Sequence, residues 1–463
     1  MDRAEKIVGG DVIDWDEKVR LFTTVIACDG EQGQLCAIKE FSRICKLAPD
    51  SALFGMVPIL VELFRSSPPA IRDSTAFALC RLARRAGAPF CATIGQLGTI
   101  PIILGLLPES RDVLRRSLLR LLSALVAVDG ANRVTLARNG GLDIVLDLIS
   151  SCTDDTKKYL LEILSALAML RGVRRVAVRL GIFPFLIEAL SACRMISRMQ
   201  AAHAIGLLGV VRRDRHMLVE LGAVPALVQL IREGDRSVKL IASNALGIIS
   251  SHVDCIRPVA EAGAIPLYME LLESSEPLGR EIAEDVLCIL AVDEENATAI
   301  SEQLVRILRG SDEDAMSAAV DVLWDLAGYK HSASVMRDSG AIPLLMEVLL
   351  NGSVDIREKV MGTIAQLSYD AANRRALVEA GGIPLLIGLL RGDSEELRDY
   401  AVESLINFGE DPVLRDFVVE AFDIPSFVDA RDRINRIRAS DEYMSRSMRL
   451  LSIEQLTSDT ELS

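Results

Sequence analysis

The sequence predicts an all-α solenoid, a fold in which short helices stack in a regular array. Three observations indicate it. A Gly-x-x-Pro signal returns about every 41 residues along most of the chain. Apolar residues recur at helical spacing between the signals, and half of all residues are hydrophobic while only 4% are aromatic. No unit of this size could bury such stripes alone, so neighbouring units must share a core.

The Gly-x-x-Pro signal predicts a break between two helices. Glycine can adopt the left-handed conformation that ends one helix, and proline is favoured in the first turn of the next. Seven segments carry the signal: Gly55-Met56-Val57-Pro58, Gly98-Thr99-Ile100-Pro101, Gly181-Ile182-Phe183-Pro184, Gly222-Ala223-Val224-Pro225, Gly263-Ala264-Ile265-Pro266, Gly340-Ala341-Ile342-Pro343 and Gly381-Gly382-Ile383-Pro384.

The Gly-x-x-Pro signal is incomplete at two places, although the repeats continue through both. Gly140 keeps the spacing, with Asp143 where the proline should stand. The 77 residues from Pro266 to Pro343 hold two shortened repeats, the second without the signal near Leu304. Ordinary helical bundles are the alternative, but they would not require glycine and proline to return at a fixed phase.

Apolar stripes predict three helices in each unit, a short one followed by two longer ones. Leu227, Leu230 and Ile231 form one stripe after Pro225, and a polar turn at 233–235 ends it. A second, longer stripe follows at Val238, Ile241, Ala242, Ala245, Leu246 and Ile249.

Two segments resemble the armadillo consensus: Asn373-Arg374-Arg375-Ala376-Leu377-Val378-Glu379-Ala380-Gly381-Gly382-Ile383-Pro384, and Asn132-Arg133-Val134-Thr135-Leu136 ahead of Gly140. The resemblance covers roughly residues 15–428 and implies a right-handed superhelical α-solenoid of about nine to ten armadillo repeats. The chain is most similar to plant armadillo-repeat proteins of the U-box-associated type, here without a U-box. In the family, partners bind the concave face that the third helices form.

This reading divides the chain into four parts. Residues 1–14 are expected to be a flexible N-terminus, 15–50 an N-terminal capping partial repeat, and 51–428 the armadillo repeats. Residues 429–463 are expected to form a C-terminal cap, closed by Ile434 and Ile437, and a mobile tail.

The sequence contains no recognisable set of catalytic residues. The four histidines, His203, His216, His252 and His331, include no pair at the close helical spacing of a zinc site. Phosphate-binding loops and nucleophile elbows are also missing from the sequence. We therefore predict a protein that is not an enzyme and uses no metal or cofactor.

In the family, residues at fixed positions of each third helix face the groove. The same positions can be assigned in the third helix of each repeat of this sequence. The candidate partner-binding residues in these two rows are Phe77, Arg81, Arg120, His203, Asn244, Asp285, Asp321, Asp325, Gln366, Glu403 and Asn407. Of the asparagines that line the groove of nuclear-import receptors, only Asn407 is retained. Neither Trp15 nor Trp324 stands at the family's tryptophan position, so binding of localisation signals loses its physical basis.

Charge along these rows changes sign. The groove begins basic at Arg81 and Arg120, is apolar at Leu207, Ile248 and Ile289, and ends acidic around Asp285, Asp321, Asp325 and Glu403. Residues 1–230 carry 29 basic against 23 acidic residues, and residues 231–463 carry 22 against 42. The charges either solvate a surface or select a partner with an acidic end toward the first repeats and a basic end toward the last.

Two further basic features have competing interpretations. Arginines recur at helix ends, at Arg84 and Arg85, at Arg171, Arg174 and Arg175, and at Arg212, Arg213 and Arg215. They either complement helix dipoles or form a ridge for acidic or phosphorylated segments. In the tail, arginines three and six residues before Ser452 resemble a kinase site, which makes Ser452 a candidate phosphosite.

The sequence therefore favours a non-catalytic adaptor or scaffold that binds extended segments or helices of other proteins. The alternative is a substrate-recruiting component of a ubiquitin ligase pathway that lacks its own U-box. The acidic net charge of −14 argues against direct nucleic-acid binding, and the apolar runs are too short for membrane insertion. Nine cysteines without a Cys-x-x-Cys pair indicate a cytoplasmic or nuclear protein. Its oligomeric state stays open.

Overall fold

The computed structural model describes residues 14–28, 30–149 and 152–436. These residues form the 28 α-helices given below, one 3-10 helix, a further helical segment at residues 425–436, and no strand. The chain divides into two compact units, residues 1–208 and residues 209–463. The prediction of an all-α repeat fold is confirmed.

Unit 1 contains the first thirteen helices of the described residues. They are α1 (Trp15–Cys28), α2 (Glu31–Ile44), α3 (Asp50–Ser66), α4 (Pro69–Ala86), α5 (Ala88–Gln96), α6 (Thr99–Leu106), α7 (Asp112–Val128), α8 (Gly130–Arg138), α9 (Gly141–Ile149), α10 (Asp154–Ala168), α11 (Arg171–Arg179), α12 (Phe183–Ala192) and α13 (Met195–Leu208).

Unit 2 continues the same pattern. Its helices are α14 (Arg212–Glu220), α15 (Ala223–Glu233), α16 (Arg236–Ser250), α17 (Val253–Glu261), α18 (Ala264–Leu272), α19 (Pro277–Leu290), α20 (Glu294–Leu308), α21 (Glu313–Ala327), α22 (Lys330–Asp338), α23 (Ala341–Asn351), α24 (Val354–Leu367), α25 (Ala371–Glu379), α26 (Gly382–Leu389), α27 (Glu395–Glu410) and α28 (Val419–Phe422). A 3-10 turn at Arg415–Phe417 precedes α28, and residues 425–436 are helical again.

Seven repeats within the described residues contain three helices each. The first helix has 9 residues in every one of them, the second has 8 to 11, and the third has 14 to 17. The prediction of two longer helices was wrong for the second. The Gly-Pro signal sets its start, and a polar turn such as Gly234-Asp235 ends it within about three turns.

Glycine ends the first helix of these repeats as predicted. Gly222 adopts φ 85° and ψ 25°, and α15 begins at the next residue with Pro225 in its first turn. The same left-handed conformation occurs at the other signal glycines except Gly55: it is found at Gly98, Gly140, Gly181, Gly263, Gly340 and Gly381.

Two repeats fuse their first and second helices. Helix α20 runs without a break through Leu304, where the sequence lacks the glycine signal. Helix α3 runs through Pro58, so the break expected at Gly55 does not form. Only eight residues separate the start of α3 from Pro58, whereas 13 separate the start of α14 from Pro225. A separate first helix therefore has no room in α3.

The third helices of successive repeats pack side by side within each unit. In unit 1 they are α4, α7, α10 and α13, and in unit 2 they are α16, α19, α21, α24 and α27. Their inward leucines, such as Leu246, Leu287 and Leu323, are fully buried. Burial of each such side chain removes apolar surface from water and contributes about 2–3 kcal/mol to stability. The row of third helices is therefore a rigid base for the partly exposed face beside it.

The segment after α28 covers the last repeat. Phe427 and Ile434 are buried, and the Arg433 guanidinium lies 3.0 Å from Glu395 and also contacts Asp399. The other predicted capping residue, Ile437, and the candidate phosphosite Ser452 lie outside the described residues. The four-part domain division stays a prediction.

Among the described helices, none is by itself long and apolar enough to cross a bilayer. Helices α5 and α6 reach that length only as a pair, and they meet at a bend of 71°.

Candidate partner-binding face

An acidic surface runs across the third helices of unit 2. We call it the acidic face and define it by the carboxylates Glu284, Asp285, Asp321, Asp325 and Glu403. They lie on α19, α21 and α27, whose buried sides hold them in place. Asp285 and Asp325 are exposed, while the other three are half-buried. The structure thus brings Asp285, Asp321 and Asp325 of the predicted acidic row together, and Glu403 lies further along, on α27.

Aromatic side chains lie within the acidic face. Trp324 and Tyr400 are both half-buried, and their rings meet edge to face with centroids 6.0 Å apart. They come from α21 and α27, with α24 between them. The indole reaches across at Gly362, where an added Cβ would stand 2.8 Å from Trp324 Cε2. A predicted row position is therefore occupied by a ring from the preceding repeat.

The carboxylates of the acidic face repel one another. Partial desolvation raises the pKa of Glu284, and the charges of Asp321 and Asp285 raise it further. Desolvation also raises the pKa of Asp325; a hydrogen bond from Cys288 opposes the shift, and Asp321 and Asp285 add to it. Each of these pKa values is therefore raised first by burial of the carboxylate and then by the negative charges close to it.

One cation already sits on the acidic face. Lys359 Nζ lies 2.5 Å from Asp321 Oδ2 and donates to Ser317 Oγ at 3.1 Å. Asp321 is therefore neutralised within the chain. Asp325 accepts a hydrogen bond from the Cys288 thiol, with 3.7 Å between Sγ and Oδ2. The exposed Asp325 is the stronger acceptor for a partner's cation.

The end of the row differs from the prediction. Asn407 was expected to line the groove, but it is 3% exposed, and its Nδ2 donates to Ser368 Oγ at 2.7 Å. It joins α27 to the preceding repeat and presents nothing to a partner. Glu403 accepts from the Tyr369 hydroxyl at 2.5 Å, and Gln366 is half-buried.

Unit 1 carries a basic and aromatic surface on α4 and α7. The Phe77 ring is 38% exposed, with Arg120 Cζ 5.3 Å and Arg81 Cζ 5.9 Å from its centroid. Both distances suit cation–π contact. The three predicted residues therefore form one cluster, which we call the Phe77 cluster.

The remaining residues of the two predicted rows differ in their exposure. His203 and Asn244 are exposed, while Leu207, Ile248 and Ile289 are half-buried. The predicted apolar middle is therefore only partly accessible in each unit.

Several helix-end arginines hold the repeats together. Arg174 Nε donates to the Ala168 carbonyl at 2.6 Å, and Arg215 Nε donates to the Gly209 carbonyl at 2.9 Å. Arg85 reaches the Ala48 carbonyl of the preceding repeat at 2.6 Å. Because the last carbonyls of a helix lack partners within it, Arg174 and Arg215 act as caps. The interpretation as complements of helix ends is supported for these two, whereas the carbonyl that Arg85 binds lies in the loop before α3.

Sequence reasoning missed Glu284 of the acidic face and three residues that lie beside its carboxylates. Lys359 and Tyr400 stand three residues before the row positions Gly362 and Glu403, and Trp324 stands three residues after Asp321. Residues three apart share a helix face. Widening each row by this spacing would have found all three.

Comparison with known proteins agrees with the fold. The model of the armadillo/beta-catenin-like repeat matches residues 212–251 and 370–405, which correspond to the triplets α14–α16 and α25–α27. No curated protein matches the sequence.

A solved structure shares the fold at low sequence identity. The engineered protein that is Northeast Structural Genomics Consortium target OR497 is 21% identical, with a TM-score of 0.70 over 84% of this chain and 98% of that one. The designed armadillo repeat protein YIII(Dq.V1)4CPAF, solved with the peptide (KR)4, is 22% identical, with a TM-score of 0.41 over 49% of this chain and 99% of its own. The chain thus has the solenoid fold of the first of these structures, and two of its helix triplets match the armadillo/beta-catenin-like repeat.

Proposed function

We propose that this chain is a non-catalytic adaptor that binds a basic, extended segment of a partner protein along the acidic face of unit 2. The observation that carries the proposal is the cluster of mutually repelling carboxylates around Trp324 and Tyr400. A lysine or arginine side chain of the partner would relieve this repulsion. Complementary charge also raises the association rate and the selectivity of binding.

The aromatic rings add to the preference for cations. A lysine or arginine over a half-buried aromatic ring contributes about 0.5–2 kcal/mol. Trp324 lies beside Asp325 in sequence and across from Tyr400 in space. An arginine of a partner could contact a ring and a carboxylate together, which lysine matches less well because its charge is a single point.

The Phe77 cluster supports the opposite preference in unit 1. Arg81 and Arg120 lie at one aromatic ring and present positive charge. Acidic side chains of a partner would complement them. That one partner carries both an acidic and a basic end stays a prediction.

Peptide binding tests this proposal. Fluorescence anisotropy would compare a labelled peptide of alternating lysine and arginine with one of alternating glutamate and aspartate. Asp325→Asn should weaken the basic peptide by about tenfold, because one close charge pair contributes on the order of 1.4 kcal/mol. Asp321→Asn should have less effect, since Lys359 already neutralises that carboxylate.

A matched control separates local from overall charge. Glu295→Gln removes an equal charge at the exposed start of α20, which is not a third helix. It should leave the affinity for the basic peptide unchanged. Equal affinity for both peptides, or equal loss in both variants, would refute the proposed face.

The narrower assignments rest on sequence resemblance. These are the plant U-box-associated subtype and a substrate-recruiting role in ubiquitin ligation. A cytoplasmic or nuclear location is proposed from the cysteine pattern. An in vitro ubiquitination assay with a candidate ligase and a bound partner distinguishes recruitment from plain scaffolding.

A further inference from the structure

Two histidines and an aspartate of unit 2 meet where the middle of one first helix, α14, faces the start of the next, α17. His216 lies in α14, His252 is the N-cap residue of α17, and Asp254 lies in its first turn. The histidine rings are 5.0 Å apart between centroids. The sequence predicted no metal site because the two are 36 residues apart, but stacking of repeats overturns that reasoning and makes them neighbours.

The ligand atoms of these three residues converge. His216 Nε2 lies 3.2 Å and His252 Nδ1 lies 3.6 Å from the same oxygen, Asp254 Oδ2. The three ligand atoms all lie within 4.8 Å of one another. Zinc bonds of about 2.0–2.1 Å in a tetrahedron place ligand atoms roughly 3.3 Å apart. The two measured distances to Asp254 are close to that edge.

We propose that His216, His252 and Asp254 bind a divalent transition-metal ion, with Zn²⁺ as the best match. Two imidazoles and one carboxylate suit Zn²⁺, Co²⁺ and Ni²⁺ better than Ca²⁺ or Mg²⁺, which prefer oxygen ligands alone. Asp254 is exposed and His216 half-buried, so water can reach a fourth coordination position.

Neighbouring groups act on His252, one of the three proposed ligands. His252 Nδ1 accepts a hydrogen bond from the backbone N–H of Asp254 at 3.3 Å, so this nitrogen carries a lone pair and faces Asp254. Desolvation lowers the pKa of His252, and the charges of Arg212, His216 and Arg215 lower it further, against the opposing effect of Asp254.

The same surroundings limit the affinity. Arg212 and Arg215 repel a metal ion, and the ion competes with the N-cap hydrogen bond for His252 Nδ1. We expect an affinity near the micromolar range, below that of closed structural zinc sites. A bound ion would join α14 to α17 and so connect two successive repeats.

Metal titration of the full-length chain tests the site. The protein would be stripped with a chelator, kept reduced, and titrated with Zn²⁺ by calorimetry and with Co²⁺ by visible absorption. We expect one equivalent of saturable binding and the strong absorption of tetrahedral Co²⁺. His216→Ala should weaken binding by more than about a hundredfold, because loss of even an outer-shell partner costs 10- to 100-fold.

Two variants keep the outcome interpretable. His203→Ala removes an exposed histidine of unit 1 and should bind as the unaltered chain does. Asp254→Asn tests the carboxylate without shortening the side chain. Circular dichroism checks that each variant keeps its helix content. Absence of saturable binding, or unchanged affinity in His216→Ala, would overturn the site.

Discussion

The indole of Trp324 lies directly against Gly362 of the next third helix. A Cβ added at Gly362 would approach Trp324 Cε2 to 2.8 Å and Cζ2 to 2.9 Å, closer than real Cβ atoms come to other atoms. Gly362 is buried in the middle of α24, where glycine is otherwise unfavourable. The absent side chain is therefore what allows Trp324 to reach Tyr400.

Gly362→Ala should destabilise unit 2. The added methyl group must displace the indole or the helix, at a cost of about 1–3 kcal/mol, which outweighs the gain in helix propensity of roughly 1 kcal/mol. Thermal unfolding measures the loss. Tryptophan fluorescence in a Trp15→Phe background should change, because Trp324 is then the only tryptophan.

Gly388 supplies the matched control in the same unit. It lies in α26, and nothing stands within 4 Å of an added Cβ. Gly388→Ala should leave stability unchanged or raise it. The proposed contact with Trp324 is wrong if the two alanine variants behave alike.

Arg174 should contribute more to stability than its neighbour Arg175. Arg174→Ala removes the cap on the Ala168 carbonyl and should cost about 1–3 kcal/mol, since the last carbonyls of α10 lose a charged donor. Arg175 is exposed on the same helix, and Arg175→Ala should stay within about 0.5 kcal/mol of the unaltered chain. Denaturation followed by circular dichroism compares them; equal losses would argue against a capping role.

The sequence could predict these local features because they depend on short segments. The glycine signal required a left-handed residue before a proline, and Gly222 and its equivalents adopt that conformation. The missing signal near Leu304 indicated an irregular repeat, and α20 is indeed one continuous helix. Helical spacing also placed Phe77, Arg81 and Arg120 on one surface.

Contacts between repeats were harder to predict. Asn407 is held in a buried position by its hydrogen bond to Ser368 of the preceding repeat. The charge of Asp321 is balanced by Lys359 of the following repeat. His216 and His252 likewise meet only because repeats stack. A single helical phase locates a side chain on its helix but not the neighbour it meets, so the contacts of Trp324, Lys359 and Tyr400 with the acidic face escaped prediction.

Asn132 and Gly95 should show strong coupling. Asn132 is buried, and its Nδ2 donates to the carbonyls of Cys91 at 2.9 Å and Leu125 at 3.3 Å. A Cβ at Gly95 would fall 1.8 Å from Asn132 Oδ1. Asn132→Ala should cost about 1–3 kcal/mol through unsatisfied carbonyls.

A double-mutant cycle measures this coupling. Gly95→Ala should be strongly destabilising alone but much less so with Asn132→Ala, which removes the clashing amide. The coupling should therefore exceed about 1 kcal/mol. Additive effects in thermal unfolding would show that the amide does not occupy this space.

Two aspartates of unit 2 should respond to pH with opposite sign. Asp293 accepts from Arg257 Nε at 2.8 Å and caps α20 through the N–H groups of Glu295 and Asn296. The bond from Arg257 is the main reason that the pKa of Asp293 is lowered. Its stabilisation is present above the unfolded pKa of about 3.9 and is lost as pH falls through the lower folded value.

Asp325 has the reverse sign because its folded pKa is raised. The folded state holds the Asp325 proton more tightly, so stability is highest below about pH 3.9 and decreases as pH rises through the folded value. At pH 7, Asp325→Asn should therefore stabilise the chain, by about 0.2–1 kcal/mol for a partly exposed charge. Asp293→Ala should destabilise it by about 0.5–2 kcal/mol through loss of the cap. Urea unfolding at pH 7 and near pH 4 would show the effect of Asp325→Asn shrinking at the lower pH while that of Asp293→Ala persists, because the stabilisation by Asp293 is lost only below about pH 3.9. A destabilising Asp325→Asn at pH 7 would mean that the carboxylates of the acidic face do not repel one another.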